Sequence, residues 1–346
     1  MKTVYRIWQA LFAMLLLAVL ATGCSKEDEL NIEESGRPVW ILGHGANCLR
    51  TLQSVIEEGG NGVEIDVNTN NYFRGSFWSV AHDVFVSPET MSALNAYLAP
   101  EDYWVSLETY LNYAEMDKIC LLWLDNKQIN AKYLKELVEY VHEVTDKRYN
   151  GLLPPYSIIY EMNYSSDLET ITTSNENILE WLRDNLRPNE GINVSWEKLS
   201  EGDDKKISDL FSKYHFPVTK HLFSNGFHNS RLVSRNGTIV KDIEQAHVLR
   251  DGGEFCSRIG FWTAQSAWDA YWFLDKEATR KDGTIVNTDC DVVIVECHNN
   301  MVSPGDKSSL QDVVKDYMLS SGQYYHDYNN GRCRLAKQND VFWAIY

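Results

Sequence analysis

Four apolar runs of strand length, all within the first 127 residues, each end on side chains that can carry a proton, a metal ion or a phosphate charge. They are PVWILGH, closing on His44; GNGVEIDV, with Glu64 and Asp66; FWSVAHD, closing on His82 and Asp83; and ICLLWLDNK, with Asp125 and Lys127. Each is rich in β-branched or aromatic residues, as strands are. As successive parallel strands they place their C-terminal ends on one rim, where barrel folds build their active sites.

Helix-like stretches fall between these runs and continue beyond them. Leu49 to Glu58 follows the first, Ser106 to Ala114 precedes the fourth, and Asn130 to Lys147 follows it. The last sets Leu134, Leu137, Val138, Val141 and Val144 at helical spacing behind Asn130 as N-cap, so one face is buried and the other wet. Further strands are expected over 156–162, 191–196, 216–223, 258–264 and 291–297, with helices over 175–186, 205–213, 239–250 and 264–275. Eight or nine strands alternating with helices predict an α/β fold, a (β/α)8 TIM barrel, regular or distorted. An open doubly wound sheet is the alternative, but neither GxGxxG nor a P-loop recommends it. The tail from Gly322 to Tyr346, ending VFWAIY, is too apolar for disorder and has no assigned place.

At 346 residues with 44% hydrophobic content the chain can bury a large core. A formal net charge of -17 argues against a nucleic-acid partner and against a polybasic grip on anionic lipid. Residues 1–24 read as a bacterial secretory signal: Lys2 and Arg6, an apolar run from Leu11 to Leu20, then small residues before Cys24. That run is short for a membrane span. The ending LATGC resembles a lipobox, which makes Cys24 the lipidated mature N-terminus. The acidic residues Glu27 to Glu29 resemble the export tag of Bacteroidetes surface lipoproteins. Residues 25–37 then form a polar, acidic tether, and 38–346 a single domain. The expected location is extracytoplasmic, at the outer membrane or cell surface of a bacterium. Six cysteines beyond Cys24 permit disulfides in that compartment, but sequence does not choose among pairings, and Cys120 sits in a strand-like run as a buried thiol would.

Glu64 and Asp66, two apart, share one face of a strand while Val63, Ile65 and Val67 share the other. Side-by-side carboxylates call for a positive charge between them, and Mg2+, with Ca2+ as the other hard cation, suits oxygen ligands. Asp125 offers a third oxygen. Lys127, on the same face as Asp125, can neutralise a phosphate oxygen. Singly, each has a bland reading: a solvated ExD, a surface lysine, a structural histidine. His44 and His82 at strand ends bracketing the carboxylates suit opposed base and acid roles at a phosphodiester. Asp83 can orient a histidine.

GHGANCLRTLQSVIEEGGNGVEIDV, AHD and LWLDNK resemble the glycerophosphodiester phosphodiesterase superfamily. They are closer to the branch of the sphingomyelinase D or phospholipase D toxins of spiders and their bacterial relatives. In that branch GHxxN matches His44 and Asn47, ExD matches Glu64 and Asp66, the second histidine matches His82, and DxK matches Asp125 and Lys127. The general diesterases usually show HRG and ExK where this chain has HGA and DNK. Downstream, HLFSNGFHN is similar to the sixth-strand region, and GFWTA to the strand whose tryptophan, here Trp262, lines the substrate pocket. The resemblance implies His44 and His82 as catalytic residues, Glu64, Asp66 and Asp125 as Mg2+ ligands, and Lys127, Trp262 and Asn47 at the substrate phosphate. The spacing between Asp66 and His82, with no cysteine near His82, departs from the toxins' stapled loop.

The implied activity is an extracytoplasmic phospholipase D-like phosphodiesterase acting on a phospholipid or lysophospholipid headgroup, through a cyclic phosphate or by hydrolysis. Alternatives are a diesterase of deacylated glycerophosphodiesters and a non-catalytic surface binding lipoprotein that kept only the fold.

Overall fold

Strand β1, Arg37–Gly43, begins a ring that the alternation of its own side chains dictates: Val39 and Ile41 point out toward helices, while Trp40 and Leu42 point in toward a separate apolar cluster. The computed structural model describes residues 36–69, 78–81, 105–128, 131–163, 177–196, 203–226, 238–253, 255–264, 273, 277–279, 285–287, 289–297, 309–314 and 333–343. Residues 1–35, His82, Asp83 and Asn130 lie outside this set, and with them the expected signal, most of the tether, the second histidine and the N-cap.

The other strands are β2 (Gly62–Thr69), β3 (Trp78–Val80), β4 (Leu121–Asn126), β5 (Ser157–Asn163), β6 (Glu190–Trp196), β7 (His221–Gly226) and β8 (Arg258–Ala264). They are followed by β9 (Glu277–Thr279), β10 (Ile285–Asn287), β11 (Val292–Val295) and β12 (Cys333–Leu335). Parallel pairing runs β1-β11-β8-β7-β6-β5-β4-β2, and a β1–β2 pairing closes it into an eight-stranded barrel, the expected TIM-type architecture. Strands β9 and β10 form a separate antiparallel pair.

Helices cover the outside where the periodicity placed them. Ala131–Tyr149 buries Leu134, Leu137, Val138, Val141 and Val144 against the strands. Leu49–Glu57 is capped by Cys48, whose sulfur accepts from the Thr51 N–H, and buries Leu49, Leu52 and Val55. Among the described residues no helix is long and apolar enough to cross a membrane. Cys48, Cys120, Cys256, Cys290, Cys297 and Cys333 are all buried, and no disulfide joins them.

Three expectations are corrected. The run 77–83 is not a parallel barrel strand: Trp78–Val80 pairs antiparallel with the end of β2, Val67 opposite Val80 and Thr69 opposite Trp78. The run 216–223 becomes strand only at His221, because Val218–Lys220 is a 3-10 turn. Ala264, expected to open a helix, is the last residue of β8, and 265–272 lie outside the described set.

The C-terminal tail has a definite place in the fold. β12 lies parallel on Arg37–Val39, and Phe342 and Trp343 then join the interior cluster with Trp40, Leu42, Leu121 and Leu222. There they lie beside Leu121 and Leu222, the first residue of β4 and the second of β7, away from the C-terminal ends of those strands. Gly191 makes room for this: a Cβ there would meet the Trp343 ring at 2.5 Å. Arg258 donates to the carbonyls of Phe342 and Val341 and lies over the Trp40 ring, 5.5 Å from its centroid. At the same end buried Asp291 faces Arg258, Arg250 and Arg37; burial alone would raise its pKa, but the three guanidiniums hold it below the usual carboxylate range.

Candidate active site

At the C-terminal rim the turn after β1 ties a histidine to two carboxylates. The His44 N–H donates to the Val295 carbonyl at 2.9 Å, continuing the β1–β11 ladder. Gly45 then takes φ 58, a left-handed conformation that glycine adopts without a Cβ penalty. The turn aims the Gly45 N–H at Glu64 Oε2, 2.6 Å away, and brings the Ala46 N–H to the Glu64 carbonyl at 2.9 Å. The Tyr110 hydroxyl holds the Ala46 carbonyl from outside at 2.7 Å.

The period-two expectation for the strand residues describes the structure. Val63, Ile65 and Val67 pack outward, and Asp66 is the register partner of Asp125 across β2 and β4. Glu64, Asp66 and Asp125 each offer an oxygen within 4.8 Å of the others. Lys127 sits on the same face, its Nζ 2.7 Å from Asp66 Oδ1 and in contact with Asp125 Oδ2.

These charges are crowded out of water. Burial, then the field of Asp66, raises Glu64 to about 8. Asp125 is likewise raised by burial and by Asp66, against the opposing pull of Lys127. Burial lowers the Lys127 pKa, but Asp125, Asp66 and Glu64 outweigh it and the net shift is upward. A hard divalent cation fits this donor set: three carboxylates, no sulfur, and a spread comparable to the roughly 4 to 5 Å between opposed oxygens around Mg2+ or Ca2+.

Asn47, expected at the substrate phosphate, has both ends of its amide on Asp66. Its Nδ2 donates to Asp66 Oδ2 at 2.5 Å and its Oδ1 accepts the Asp66 N–H at 2.8 Å. The His44 Nδ1 lies 3.1 Å from Glu296 Oε1, both side chains being about a quarter to a third exposed. Burial works against the charged ring, but the Glu296 hydrogen bond and the fields of Glu64, Glu296 and Asp66 raise His44 to about 9.

Sequence reasoning passed over Glu296, although its signal was present: in DVVIVEC it continues the inward alternation of Val292 and Ile294. Glu161 was passed over in the same way; it faces inward on β5 and accepts from the Trp123 indole at 2.8 Å. Trp262 packs against the interior cluster, partly buried, across from Gly226, where any Cβ would strike the Trp262 carbonyl. His82 is outside the described residues. Its neighbour Ala81 donates to the Asp66 carbonyl at 2.9 Å.

No curated protein matches the sequence. Among solved structures, phosphoribosyl anthranilate isomerase from Thermotoga maritima is similar at 11% identity and a TM-score of 0.38, with 80% of this chain and 97% of that chain covered. Mutually generated monomers of the dimeric enzyme from the same organism are similar at 10% identity and a TM-score of 0.30, covering 85% and 96%. The family described as "Dermonecrotic toxin SPH" matches residues 34–300. His44, the acidic trio, Lys127 and Glu296 all fall inside that match, which spans most of the sequence, and the chain belongs to the dermonecrotic toxin SPH family.

Proposed function

We propose that this protein is an extracytoplasmic phosphodiesterase of phospholipase D type, anchored by lipid at Cys24, that releases the headgroup of a phospholipid or lysophospholipid. The observation that carries the reading is the convergence of His44, Lys127 and three carboxylates on one rim of the barrel. Membership of a family of phospholipase D-like phosphodiesterases supports the same reaction class.

Glu64, Asp66 and Asp125 would hold Mg2+, or Ca2+ in its place, which when bound supplies positive charge against the phosphate oxygens. Lys127 adds a second positive charge beside that site. A bound cation would offset the fields of Glu64 and Asp66 that help keep the His44 ring charged, and the neutral ring takes the proton of the attacking hydroxyl as its oxygen bonds to phosphorus. The ester bond to the headgroup oxygen breaks, and His82 gives that oxygen a proton. The hydrogen bond between Ala81 and Asp66 supports this role by holding the preceding residue at the rim. Attack by the substrate's own hydroxyl leaves a cyclic phosphate; attack by water leaves a phosphomonoester.

The test is a headgroup-release screen with Mg2+ on sphingomyelin, lysophosphatidylcholine, lysophosphatidylethanolamine and glycerophosphocholine, with phosphorus NMR of the products. Release from the lipid substrates, lost in His44→Ala and in excess EDTA, is the expected result. Cleavage confined to glycerophosphocholine would move the substrate to deacylated diesters. Absence of cleavage of any diester would leave a binding protein with a barrel fold.

A further inference from the structure

We infer that Glu296 is a positioning residue that holds His44 by its Nδ1–H, so that Nε2 is the ring nitrogen offered to the attacking hydroxyl. This deepens the reading above and rests on it.

His44 has two ring nitrogens, and a neutral imidazole carries a proton on one of them. A carboxylate only accepts, so at 3.1 Å Glu296 Oε1 selects the form protonated at Nδ1. The pair joins distant parts of the chain, 252 residues apart, yet it is built by the barrel itself. β1 and β11 lie side by side with Gly43 opposite Val295, so the next residue on each strand, His44 and Glu296, meets at the rim. The backbone fixes both ends: His44 N–H donates to the Val295 carbonyl, and the Glu296 N–H donates to the Ala264 carbonyl at 3.0 Å. The Cys297 thiol also donates to the His44 carbonyl at 3.2 Å. An imidazole so held keeps one orientation and one tautomer, which a base needs when it must accept a proton at a single atom. Glu296 itself touches neither the acidic trio nor the phosphate in this role; it acts through His44.

The experiment compares wild type, Glu296→Ala, His44→Ala and the double variant, using lysophosphatidylcholine micelles with Mg2+. Nitrogen NMR of histidine-labelled protein runs in parallel, at a pH where the His44 ring is neutral. Glu296→Ala is expected to lower kcat by about 10- to 100-fold with little change in KM, and the double variant to be no worse than His44→Ala. In the wild type the His44 resonances should report a proton on Nδ1, and in Glu296→Ala a mixture of both tautomers. A wild-type ring protonated at Nε2 would overturn the inference, as would losses that multiply in the double variant, since these mark an independent structural role. If the wild type cleaves no diester, the functional reading fails by itself, and the tautomer spectra decide the positioning claim alone.

Discussion

Lys127 stands with its ammonium on two of the three carboxylates that a divalent cation would use. It therefore competes with the cation for their charge while completing the positive side of the site. Lys127→Met should bind Mg2+ about 10-fold or more tightly by calorimetry, and turn over about 100-fold more slowly. Unchanged or weaker affinity would show that the ammonium does not share the cation's oxygens. His221 gives a residue-scale prediction about stability. It is fully buried, donates from Nδ1 to the Phe255 carbonyl at 2.6 Å, and lies edge-on to Phe211 and Phe255. Burial lowers its pKa from 6.5 to about 4 despite that hydrogen bond. The unfolded ring takes up its proton near 6.5 and the folded one only near 4, so between those values the unfolded state binds more protons. Stability should fall as pH drops through this window, by roughly 3 kcal/mol in all. Urea titrations of wild type against His221→Asn check it: whatever the variant costs at pH 7, its stability should vary less between pH 6.5 and 4. Residues of this kind divide by what made them readable. Glu64 with Asp66, and Asp125 with Lys127, could be placed because strand parity is a local property. The partners of Asn47 and Glu296 could not, because each is set by which strands become neighbours.

At the scale of elements, the shortest pairing in the ring is β1 with β2, which sets Leu42 opposite Gly62 and Gly43 opposite Val63. Asn61 reinforces it: its Oδ1 accepts the Ile41 N–H at 2.8 Å, and its Nδ2 donates to the carbonyls of Val39 and Ala336. The second support is the C-terminal segment, with β12 on β1 and Phe342 and Trp343 in the barrel interior. Phe342 packs edge-on against Trp40, with ring centroids 4.8 Å apart. Phe342→Ala should cost about 3–5 kcal/mol in urea unfolding, the range for an aromatic removed from a packed core. A cost below about 1 kcal/mol would mean that the tail covers the barrel end without filling it. Gly191→Ala should destabilise by about 1–3 kcal/mol, since its methyl meets both the Trp343 ring and the Lys220 carbonyl. Most of this architecture could be read in advance, because alternation of strand and helix with short connections leaves few arrangements but a barrel. Trp78–Val80 escaped because composition marks a strand without giving its direction. The tail escaped because its apolar residues carry no period that says which end of a barrel they close.

For the molecule as a whole, the acidic trio links the chemistry to the closing of the ring. Glu64 and Asp66 belong to β2, Asp125 to β4, and the Gly45 N–H ties Glu64 to the turn that follows β1. A cation on those oxygens would therefore brace three successive staves, including the short β1–β2 pairing. Unfolding scatters the ligands over a flexible chain, so the cation binds the folded state and raises its stability by mass action. At a free Mg2+ concentration 100 times the dissociation constant the gain is about 2.7 kcal/mol, which for a domain of this size lifts the melting temperature by a few degrees. Calorimetric scans should show the midpoint climbing with the logarithm of Mg2+ and returning to its starting value in EDTA. Asp125→Asn should lose the climb while keeping the fold, because its amide leaves Lys127 beside Asp66. A wild-type midpoint indifferent to both Mg2+ and Ca2+ from micromolar to tens of millimolar would mean that the trio holds no divalent ion, and that Lys127 alone balances its charge.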